Sequence, residues 1–514
     1  MTENANLYAL FESRFPAADA PFLETDTGKR LTYGDLARGA ARMARLLADL
    51  GVAPGDRVVV QTEKSAEALV LYLATLKAGA VYVPLNTAYQ KGEIAYFLED
   101  AEPRLFVADP AREADLAPLA AAAGVPHMLT LGPSGAGSLM ARAIRADADF
   151  ATVPRGPEDL AAILYTSGTT GRSKGAMLSH RALASNAQVL EELWGFTGQD
   201  VLLHALPIFH VHGLFVATHM VLLSGSRMIF LPKFDATQVL ELLPRASVMM
   251  GVPTFYTRLL DQPGLTAERV AHMRLFISGS APLLAETHRL FSERTGQAVL
   301  ERYGMTEAGM ITSNPLTGPR VPGTVGPPLP GVELRVVDDQ GRALPTGEIG
   351  VIEIRGPNLF SGYWRNPAKT AEDMRADGFF ITGDVGLVDT QGYVQIVGRA
   401  KDLIISGGFN VYPKEIELAI DAIPGVVESA VFGLPHPDFG EAVAAAVIPA
   451  AGTRDGSGLT EAAIVAALRD ELARFKQPKR VFLVDALPRN AMGKVQKNLL
   501  REAYRTTFAA PAKS

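Results

Sequence analysis

Residues 165–175 read Y-T-S-G-T-T-G-R-S-K-G, a glycine-rich segment that carries two basic residues near its end. It contains three glycines and a series of hydroxyl side chains, followed by Arg172 and Lys174. Glycine lets a loop expose successive backbone N–H groups, and a concave row of such donors binds phosphate oxygens. The segment therefore predicts a phosphate-binding loop.

The flanks of this segment favour the same interpretation. Residues 160–165 (LAAILY) form an apolar run of strand length, and residues 177–194 have helical spacing with Ser179 as N-cap. A strand, a glycine loop and a helix N-terminus make a phosphate-binding unit. The segment is not a Walker A loop, G-x-x-x-x-G-K-[ST], because Gly175 rather than Ser or Thr follows Lys174.

Length and composition restrict the class of protein. At 514 residues the chain is long enough for two or more domains, and its net charge of −6 gives no case for nucleic acid as a partner. The absence of cysteine excludes disulfides, thiolate metal sites and a cysteine nucleophile. No signal peptide is evident, and no apolar run reaches the roughly 18 residues of a membrane span, so we expect a cytoplasmic enzyme without a membrane span.

The order of helix-like and strand-like segments predicts the fold class. Residues 1–160 alternate between helix-like segments, at 36–50 and 65–78, and strand-like segments, at 57–61 and 80–85, which favours α/β with a largely parallel sheet. Dense turn signals predict an antiparallel or barrel-like unit at about 320–397. We therefore expect an α/β protein: a large N-terminal region of mixed and parallel sheets flanked by helices, a small β-barrel-like unit, and a small mobile C-terminal α/β domain.

Two histidines stand close together in the segment L-P-I-F-H-V-H-G at residues 206–213. His210 and His212 are two positions apart, beside aromatic and apolar residues. Histidine pairs of this kind can bind a metal, but no third ligand of suitable spacing lies nearby. We therefore do not expect a metal site at this pair.

The glycine loop resembles the signature loop of the adenylate-forming enzymes, the superfamily of acyl-CoA synthetases, luciferases and peptide-synthetase adenylation domains. The resemblance covers about residues 31–497. Further segments match in the family's order: L-F-I-S-G-S-A-P at 275–282, Y-G-M-T-E at 303–307, T-G-D at 382–384, G-R-A-K-D at 398–402 and P-R-N-A-M-G-K at 488–494.

The resemblance implies which residues bind the nucleotide and its metal. Tyr303 would stack on adenine, Asp384 would accept the ribose hydroxyls, and Glu307 would hold Mg²⁺, a hard cation that prefers oxygen ligands. The residues implied in binding ATP and its phosphates are Thr166, Ser167, Gly168, Thr169, Thr170, Gly171, Lys174, Tyr303, Gly304, Asp384 and Arg399.

A second group of residues is implied in catalysis and in domain motion. Lys494 would bridge the α-phosphate and the attacking carboxylate, and the implied catalytic residues are Lys494, Glu307 and Thr306. The family's hinge corresponds to Lys401, which places a large domain at 1–398, the hinge at 399–402 and a small rotating domain at 403–514. The pantetheine tunnel for coenzyme A would be lined by Ser406, Gly407 and Gly408.

The reaction implied by the resemblance has two steps. A carboxylate attacks the α-phosphate of Mg-ATP to give an acyl-adenylate and pyrophosphate, and the thiol of coenzyme A then displaces AMP. Such transfer depends on positioning and charge neutralisation. We therefore expect ATP, Mg²⁺ and coenzyme A to take part, and a monomer or homodimer in which acylation of Lys494 would silence the first step by removing its charge.

Arg302 is the most informative residue for the acid substrate. An arginine beside the acyl pocket is costly to bury unpaired, and its planar guanidinium suits a second carboxylate, although pairing with Glu301 is the other interpretation. The segments F-H-V-H-G and E-R-Y-G-M-T-E together resemble the malonyl-CoA synthetases, which implies malonate, with methylmalonate as a further substrate. The implied acyl pocket consists of His210, Arg302, Ser280, Met305, Ser278 and Gly279.

The sequence alone leaves other functions open. Within the family, the acid could be a short or aryl monocarboxylic acid. An amino-acid adenylation domain is disfavoured because no carrier serine motif follows Lys497. From other classes, a P-loop-like ATPase or kinase is disfavoured by the missing G-K-[ST], and a nucleotide-binding regulator would need no acid at all.

Overall fold

The computed structural model of the chain describes residues 4–166, 173–406, 409–450, 459–469, 471–490 and 493–508, with the backbone alone at Asn410. Its strands are β1 (Pro21–Thr25), β2 (Arg30–Thr32), β3 (Arg57–Gln61), β4 (Val81–Pro84), β5 (Leu105–Ala108), β6 (His127–Thr130), β7 (Leu160–Thr166), β8 (Lys174–Ser179), β9 (Val201–His204), β10 (Arg227–Phe230), β11 (Val248–Gly251), β12 (Leu275–Ser278), β13 (Leu300–Met305), β14 (Gly309–Ser313), β15 (Glu333–Val337), β16 (Gly350–Arg355), β17 (Phe380–Val388), β18 (Val394–Arg399), β19 (Ile404–Ser406), β20 (Phe409–Val411), β21 (Val426–His436), β22 (Gly440–Pro449) and β23 (Arg480–Leu483). Its α-helices are α1 (Leu7–Glu12), α2 (Tyr33–Asp49), α3 (Ala66–Lys77), α4 (Lys91–Ala101), α5 (Glu113–Ala122), α6 (Ser138–Ala143), α7 (His180–Trp194), α8 (His219–Ser224), α9 (Ala236–Leu242), α10 (Pro253–Leu260), α11 (Ala285–Thr295), α12 (Pro367–Asp373), α13 (Pro413–Asp421), α14 (Glu461–Ala467) and α15 (Lys497–Tyr504).

Two large sheets organise most of the N-terminal part of the described chain. The first has the order β6-β5-β3-β4-β7-β8 and is parallel except for the edge pair β7 and β8. The second has the order β14-β13-β12-β11-β9-β10-β1-β2 and is parallel except for its two edge pairs. The α/β class predicted from the alternation of segments is confirmed.

Local sequence signals explain where the early helices begin. Helix α2 starts with a capping box, because the Thr32 hydroxyl accepts from the Asp35 N–H at 3.1 Å and the Asp35 carboxylate accepts from the Thr32 N–H at 3.0 Å. Helix α3 starts after Ser65, whose hydroxyl accepts from the Ala68 N–H at 3.1 Å. The helices predicted at 36–50 and 65–78, and the strand predicted at 57–61, are confirmed.

Aromatic packing holds the middle of the eight-stranded sheet against its helices. The rings of Phe276 and Phe291 have centroids 5.0 Å apart, and those of Tyr256 and Phe291 are 5.4 Å apart. The Tyr256 hydroxyl donates to the Ile277 carbonyl at 2.6 Å. These contacts connect β12 to α10 and α11, and they fix the strand that leads into residues 278–280.

Contacts between Cα atoms divide the chain into two compact units. The first consists of residues 1–333 and 355–380, and the second of residues 334–354 and 381–514. The second unit contains a four-stranded sheet of order β15-β16-β17-β18, which confirms β structure in the segment predicted at about 320–397. It also contains a sheet of order β20-β19-β22-β21, in which β23 pairs with β22. The domain limits 1–398, 399–402 and 403–514 stay predictions.

Among the residues that the structure describes, there is no helix whose length and apolar character would suffice to cross a membrane.

Candidate active site

The predicted phosphate loop joins two antiparallel strands of the first unit. Thr166 at the end of β7 lies opposite Lys174 at the start of β8, and the Thr166 hydroxyl donates to the Lys174 carbonyl at 3.4 Å. The helix does not follow the loop directly, because residues up to Ser179 continue β8 and α7 begins at His180. Ser179 is nevertheless the N-cap, as predicted. The predicted loop residues outside the described part of the chain are Ser167, Gly168, Thr169, Thr170 and Gly171.

Tyr363 connects two of the predicted residues. Its hydroxyl lies 3.1 Å from Oε1 of Glu307, and the ammonium of Lys174 lies over its ring, 5.3 Å from the centroid. Burial raises the pKa of Tyr363, helped by Glu307 and Asp373, so the phenol stays a donor. The sequence analysis did not identify Tyr363, because its segment G-Y-W contributes only one of the turn signals at 320–397.

The Y-G-M-T-E segment forms the hairpin between β13 and β14. Tyr303, Gly304 and Met305 lie on β13 and pair with β14, and Thr306 and Glu307 follow in the turn. A Cβ on Gly304 would lie 2.3 Å from the Gly309 carbonyl oxygen, so the approach of β14 requires glycine there. The hairpin places the Glu307 side chain in a buried position, 7% exposed.

Arg302 lies on β13 just before this hairpin and is 3% exposed. Its Nε and Nη2 atoms have no hydrogen-bond partner among the described residues. Burial lowers the pKa of Arg302 to about 9, against the opposing influence of Tyr256 and Glu301, so the guanidinium is still charged at neutral pH. A buried arginine with unpartnered nitrogens is destabilising by itself and is typical of a site for an anion.

Residues 278–280 adjoin this guanidinium. A Cβ on Gly279 would lie 2.3 Å from the Cζ atom of Arg302, so only glycine leaves room for the guanidinium in its present position. Ser278 is fully buried, and its hydroxyl has no partner among the described residues. Ser280 has a φ of +70°, a conformation that a non-glycine residue rarely adopts and that clusters at ligand sites.

The two neighbouring histidines differ in their surroundings. His212 is 1% exposed and begins the π-helix His212–Thr218, and its Nδ1 lies 3.2 Å from the Ser280 hydroxyl. His210 is less buried, and its Nδ1 accepts from the His212 N–H at 3.4 Å. The resemblance implied His210, and not His212, as the pocket residue. In the structure, His212 is the one bonded to Ser280.

In the second unit, Asp384 and Arg399 form a cross-strand ion pair. They are register partners on β17 and β18, and Nε of Arg399 lies 2.7 Å from Oδ1 of Asp384. Asp384 is buried, and its own N–H donates to the Thr382 hydroxyl at 3.0 Å. Asp384, which the resemblance implies at the ribose, and Arg399, which it implies at the ribose or a phosphate, are thus held side by side.

The backbone around Lys494 is held by contacts with Arg489 and Asn490. The Lys494 N–H donates to Oδ1 of Asn490 at 3.0 Å, and the Arg489 guanidinium donates to the Gly493 carbonyl at 2.7 Å and pairs with Glu428 on β21. These contacts hold the backbone of Lys494 in place. Sequence reasoning did not identify Arg489, because its partner Glu428 is distant along the chain.

The charge environment of Lys494 lies within the same unit. Lys494 as a residue is exposed, but its ammonium is desolvated and stands near Arg399 and Lys401, and these influences lower its pKa to about 8. Lys401 itself is part of the 3₁₀ turn Ala400–Asp402. The structure thus brings Asp384, Arg399 and Lys494 into one charged cluster.

The predicted coenzyme A tunnel is described only in part. Ser406 ends β19 and is buried, and the Ile405 N–H donates to Oε2 of Glu441 at 2.9 Å. Gly407 and Gly408 lie outside the described residues. Their predicted place in the tunnel stays a prediction.

Comparison with known families identifies the class of protein. A model described as the AMP-binding enzyme family matches residues 12–364, and a model described as the AMP-binding enzyme C-terminal domain matches residues 415–494. Together they cover most of the chain. The chain belongs to the AMP-binding enzyme family.

Individual relatives cover almost the whole chain. The crystal structure of ATP-bound MatB from Rhodopseudomonas palustris is 58% identical with a TM-score of 0.96, over 98% of this chain and 100% of that chain. Malonate–CoA ligase of Arabidopsis thaliana is 34% identical over 98% of this chain and 90% of its own length. A feruloyl-CoA synthase of an Amycolatopsis species is 37% identical over 93% of this chain and 94% of its own length.

Proposed function

We propose that this protein is an ATP-dependent malonate–CoA ligase. A malonate carboxylate attacks the α-phosphate of ATP and pyrophosphate leaves; the sulfur of coenzyme A then attacks the malonyl carbonyl and AMP leaves. The observation that carries the proposal is the buried Arg302 with its two unpartnered nitrogens. The likeness of nearly the whole chain to a malonate–CoA ligase supports the same substrate.

The second carboxylate of malonate explains why an arginine is buried in the acyl pocket. A carboxylate has two oxygens in a plane, and the guanidinium presents two N–H groups that match them. An aryl monocarboxylic acid such as the substrate of the feruloyl-CoA synthase would leave Arg302 charged, buried and unpaired. The malonate interpretation is therefore favoured. Methylmalonate stays a second substrate, because pockets reject one methyl group by only roughly 1–3 kcal/mol.

The residues around Glu307 fit a role in holding the metal that accompanies ATP. The carboxylate is a hard oxygen donor, and the Tyr363 hydroxyl hydrogen-bonded to Oε1 fixes its orientation. One carboxylate together with phosphate oxygens is a usual ligand set for Mg²⁺. When bound, Mg²⁺ supplies positive charge that neutralises the phosphates. Lys174 adds positive charge beside Tyr363, and Thr306 offers a hydroxyl to the phosphate.

Roles in the remaining nucleotide and thiol chemistry fall to residues of both units. Tyr303 stacks on adenine, and the Asp384–Arg399 pair binds the ribose. Lys494 neutralises charge between the attacking carboxylate and the α-phosphate, and Lys401 is the hinge that lets one small domain serve adenylation and thiol transfer in turn. Each of these roles is a proposal supported by the family motif at that position.

Pyrophosphate release that depends on added acid tests the proposed function. With ATP, Mg²⁺ and coenzyme A present, we expect malonate to stimulate release far more than any monocarboxylate in a panel of C2–C8 acids. An ATPase or a kinase would hydrolyse or transfer phosphate without an acid, and a regulator would release none. If a monocarboxylate proved the best acid, the malonate assignment would fail although the ligase class would stand.

Three further expectations stay predictions. The protein is expected to be cytoplasmic and to act as a monomer or homodimer. Acylation of Lys494 is expected to stop the first step, because it removes the charge of the ammonium.

A further inference from the structure

We propose that Glu417 is a positioning residue for adenylation, which holds Lys494 in its charged cluster through an ion pair with Lys497. This role rests on the proposed function, in which Lys494 serves the first half-reaction. Glu417 lies on α13 and is buried, and the proposed function leaves it without a role. A buried charge is destabilising unless it is paired, so the partners of Glu417 indicate what it does.

The Glu417 carboxylate connects three elements. Its Oε1 accepts from the Lys497 ammonium at 2.6 Å and from the Val431 N–H at 3.0 Å, whereas the Lys414 ammonium is 4.0 Å from its Oε2. Burial by itself would raise the pKa of Glu417, but the two lysines and the Val431 N–H lower it below its ordinary value. Glu417 is therefore charged at neutral pH, and it fixes the start of α15, at Lys497, against α13 and β21.

The described residues of 488–497, which we call the Lys494 segment, are bonded to one another. Arg489 and Val495 form an antiparallel β-bridge. The Asn490 N–H donates to the Lys494 carbonyl at 3.0 Å, and the Lys494 N–H donates to Oδ1 of Asn490 at 3.0 Å. Because these bonds lie within the Lys494 segment, its place in the second unit depends on contacts with other elements.

Two ion pairs hold the Lys494 segment to those elements. The Arg489 guanidinium pairs with Glu428 of β21, and the Lys497 ammonium pairs with Glu417 of α13. The side chains of Glu417 and Lys497 are 9% and 18% exposed, against 26% and 27% for those of Glu428 and Arg489. Because an ion pair strengthens as solvent is excluded from it, the Glu417–Lys497 pair is the stronger anchor.

The surroundings of the Lys494 ammonium make its position measurable. Desolvation and the cations of Arg399 and Lys401 lower its pKa to about 8, against the opposing influence of Asp384 and Asp402. If the Lys494 segment loosened, the ammonium would be better solvated and its pKa would rise toward the ordinary value. A change in the buried ion pair should therefore appear in the pH dependence of adenylation as well as in its rate.

Asp421 provides a matched control one turn further along α13. Its Oδ1 is buried without a partner among the described residues, and burial raises its pKa to about 7, against the hydrogen bond of Ser429. Asp421 and Glu417 are thus buried acids on one helix. In the part of the chain that the structure describes, Glu417 is the one of the two that is paired with the Lys494 segment.

The test uses Glu417→Gln, which removes the charge and keeps an acceptor for the Val431 N–H. We expect pyrophosphate release with malonate to fall roughly 10- to 100-fold, because a misplacement of about 1 Å can cost 100-fold. Thioester formation from supplied malonyl-AMP should be unchanged, and the fall of adenylation at high pH should move to higher pH. Asp421→Asn should change none of these quantities.

Lys497→Met breaks the same ion pair from its other side, and it serves as the test if Glu417→Gln folds poorly. We expect the same separation of the two half-reactions and the same shift in pH dependence. When both variants fold, the double variant should lose no more than the larger single loss, because both changes remove one interaction.

Three outcomes overturn the role of Glu417: an equal loss in both half-reactions, a loss of adenylation without a shift in its pH dependence, or single losses that add in the double variant. In each case the proposed function survives, because the wild-type protein still forms malonyl-CoA. If the wild-type protein releases no pyrophosphate with malonate, the proposed function fails first and the role of Glu417 fails with it.

Discussion

Arg302→Met is expected to lower kcat/KM for malonate by roughly 100- to 4,000-fold, because removing one partner of a buried charge pair is worth about 3–5 kcal/mol. The same change should raise kcat/KM for butyrate, since a thioether suits an alkyl chain better than a guanidinium does. Steady-state kinetics with both acids measures the two effects. Unchanged malonate kinetics, or equal losses for both acids, would contradict the role of Arg302.

Thermal unfolding separates this functional effect from a structural one. Arg302 is buried with two unpartnered nitrogens, so replacing it by an apolar side chain is expected to leave the melting temperature of the ligand-free protein unchanged or higher. Arg320→Met is the matched control in the same unit, because Arg320 donates to the Leu316 carbonyl at 3.0 Å. It should lower stability and leave the malonate-to-butyrate ratio as it is.

Gly279→Ala tests the same site with Arg302 still present. The added Cβ would lie 2.3 Å from the Arg302 Cζ atom and would displace the guanidinium. We therefore expect a loss for malonate in the same direction as in Arg302→Met. Gly92→Ala is the control, because a Cβ there meets no atom within 4 Å.

Lys494→Ala is expected to slow malonate adenylation by roughly 100- to 1,000-fold, the usual effect of removing one group that neutralises transition-state charge. Thioester formation from supplied malonyl-AMP should persist, because that step does not pass through the α-phosphate attack. Pyrophosphate release and thioester formation are measured separately. Lys414→Ala, which removes another cation of the same unit, should affect neither step.

The pH dependence gives Lys494 a signature of its own. The pKa of Lys494 is lowered to about 8, so the charged ammonium form predominates below that pH. The charge is lost as the pH rises through this value. We expect kcat/KM for ATP in adenylation to fall above about pH 8. Lys494→Arg should flatten this fall, because a guanidinium stays charged there. Equal losses of both half-reactions in Lys494→Ala would refute the assignment.

Local pattern was enough to predict much of the fold. The strand at 57–61 and the helices at 36–50 and 65–78 follow from hydrophobic period and capping residues, and these signals act over a few positions. The start of helix α7 was misplaced by the local pattern. Residues 177–179 have helical spacing, but they pair with β7. Tertiary pairing overrode the local period there, and the cap at Ser179 was the better signal.

The sequence predicted some residues of the candidate site but not the contacts between them, because these contacts join distant parts of the chain. Motifs were enough to name Glu307 and Arg302, but the hydroxyl of Tyr363 meets Glu307 from 56 positions away. His212 meets Ser280 from 68 positions away. Neither spacing leaves a local pattern, so both contacts became visible only in the folded chain.

The most direct test of the central claim is competition between malonate and butyrate for the wild-type protein. With equal concentrations of both acids, ATP, Mg²⁺ and limiting coenzyme A, mass spectrometry measures the ratio of the two thioesters. If Arg302 recognises a second carboxylate, malonyl-CoA is expected to exceed butyryl-CoA by roughly 100-fold or more. Equal amounts of the two thioesters, or an excess of butyryl-CoA, would contradict it.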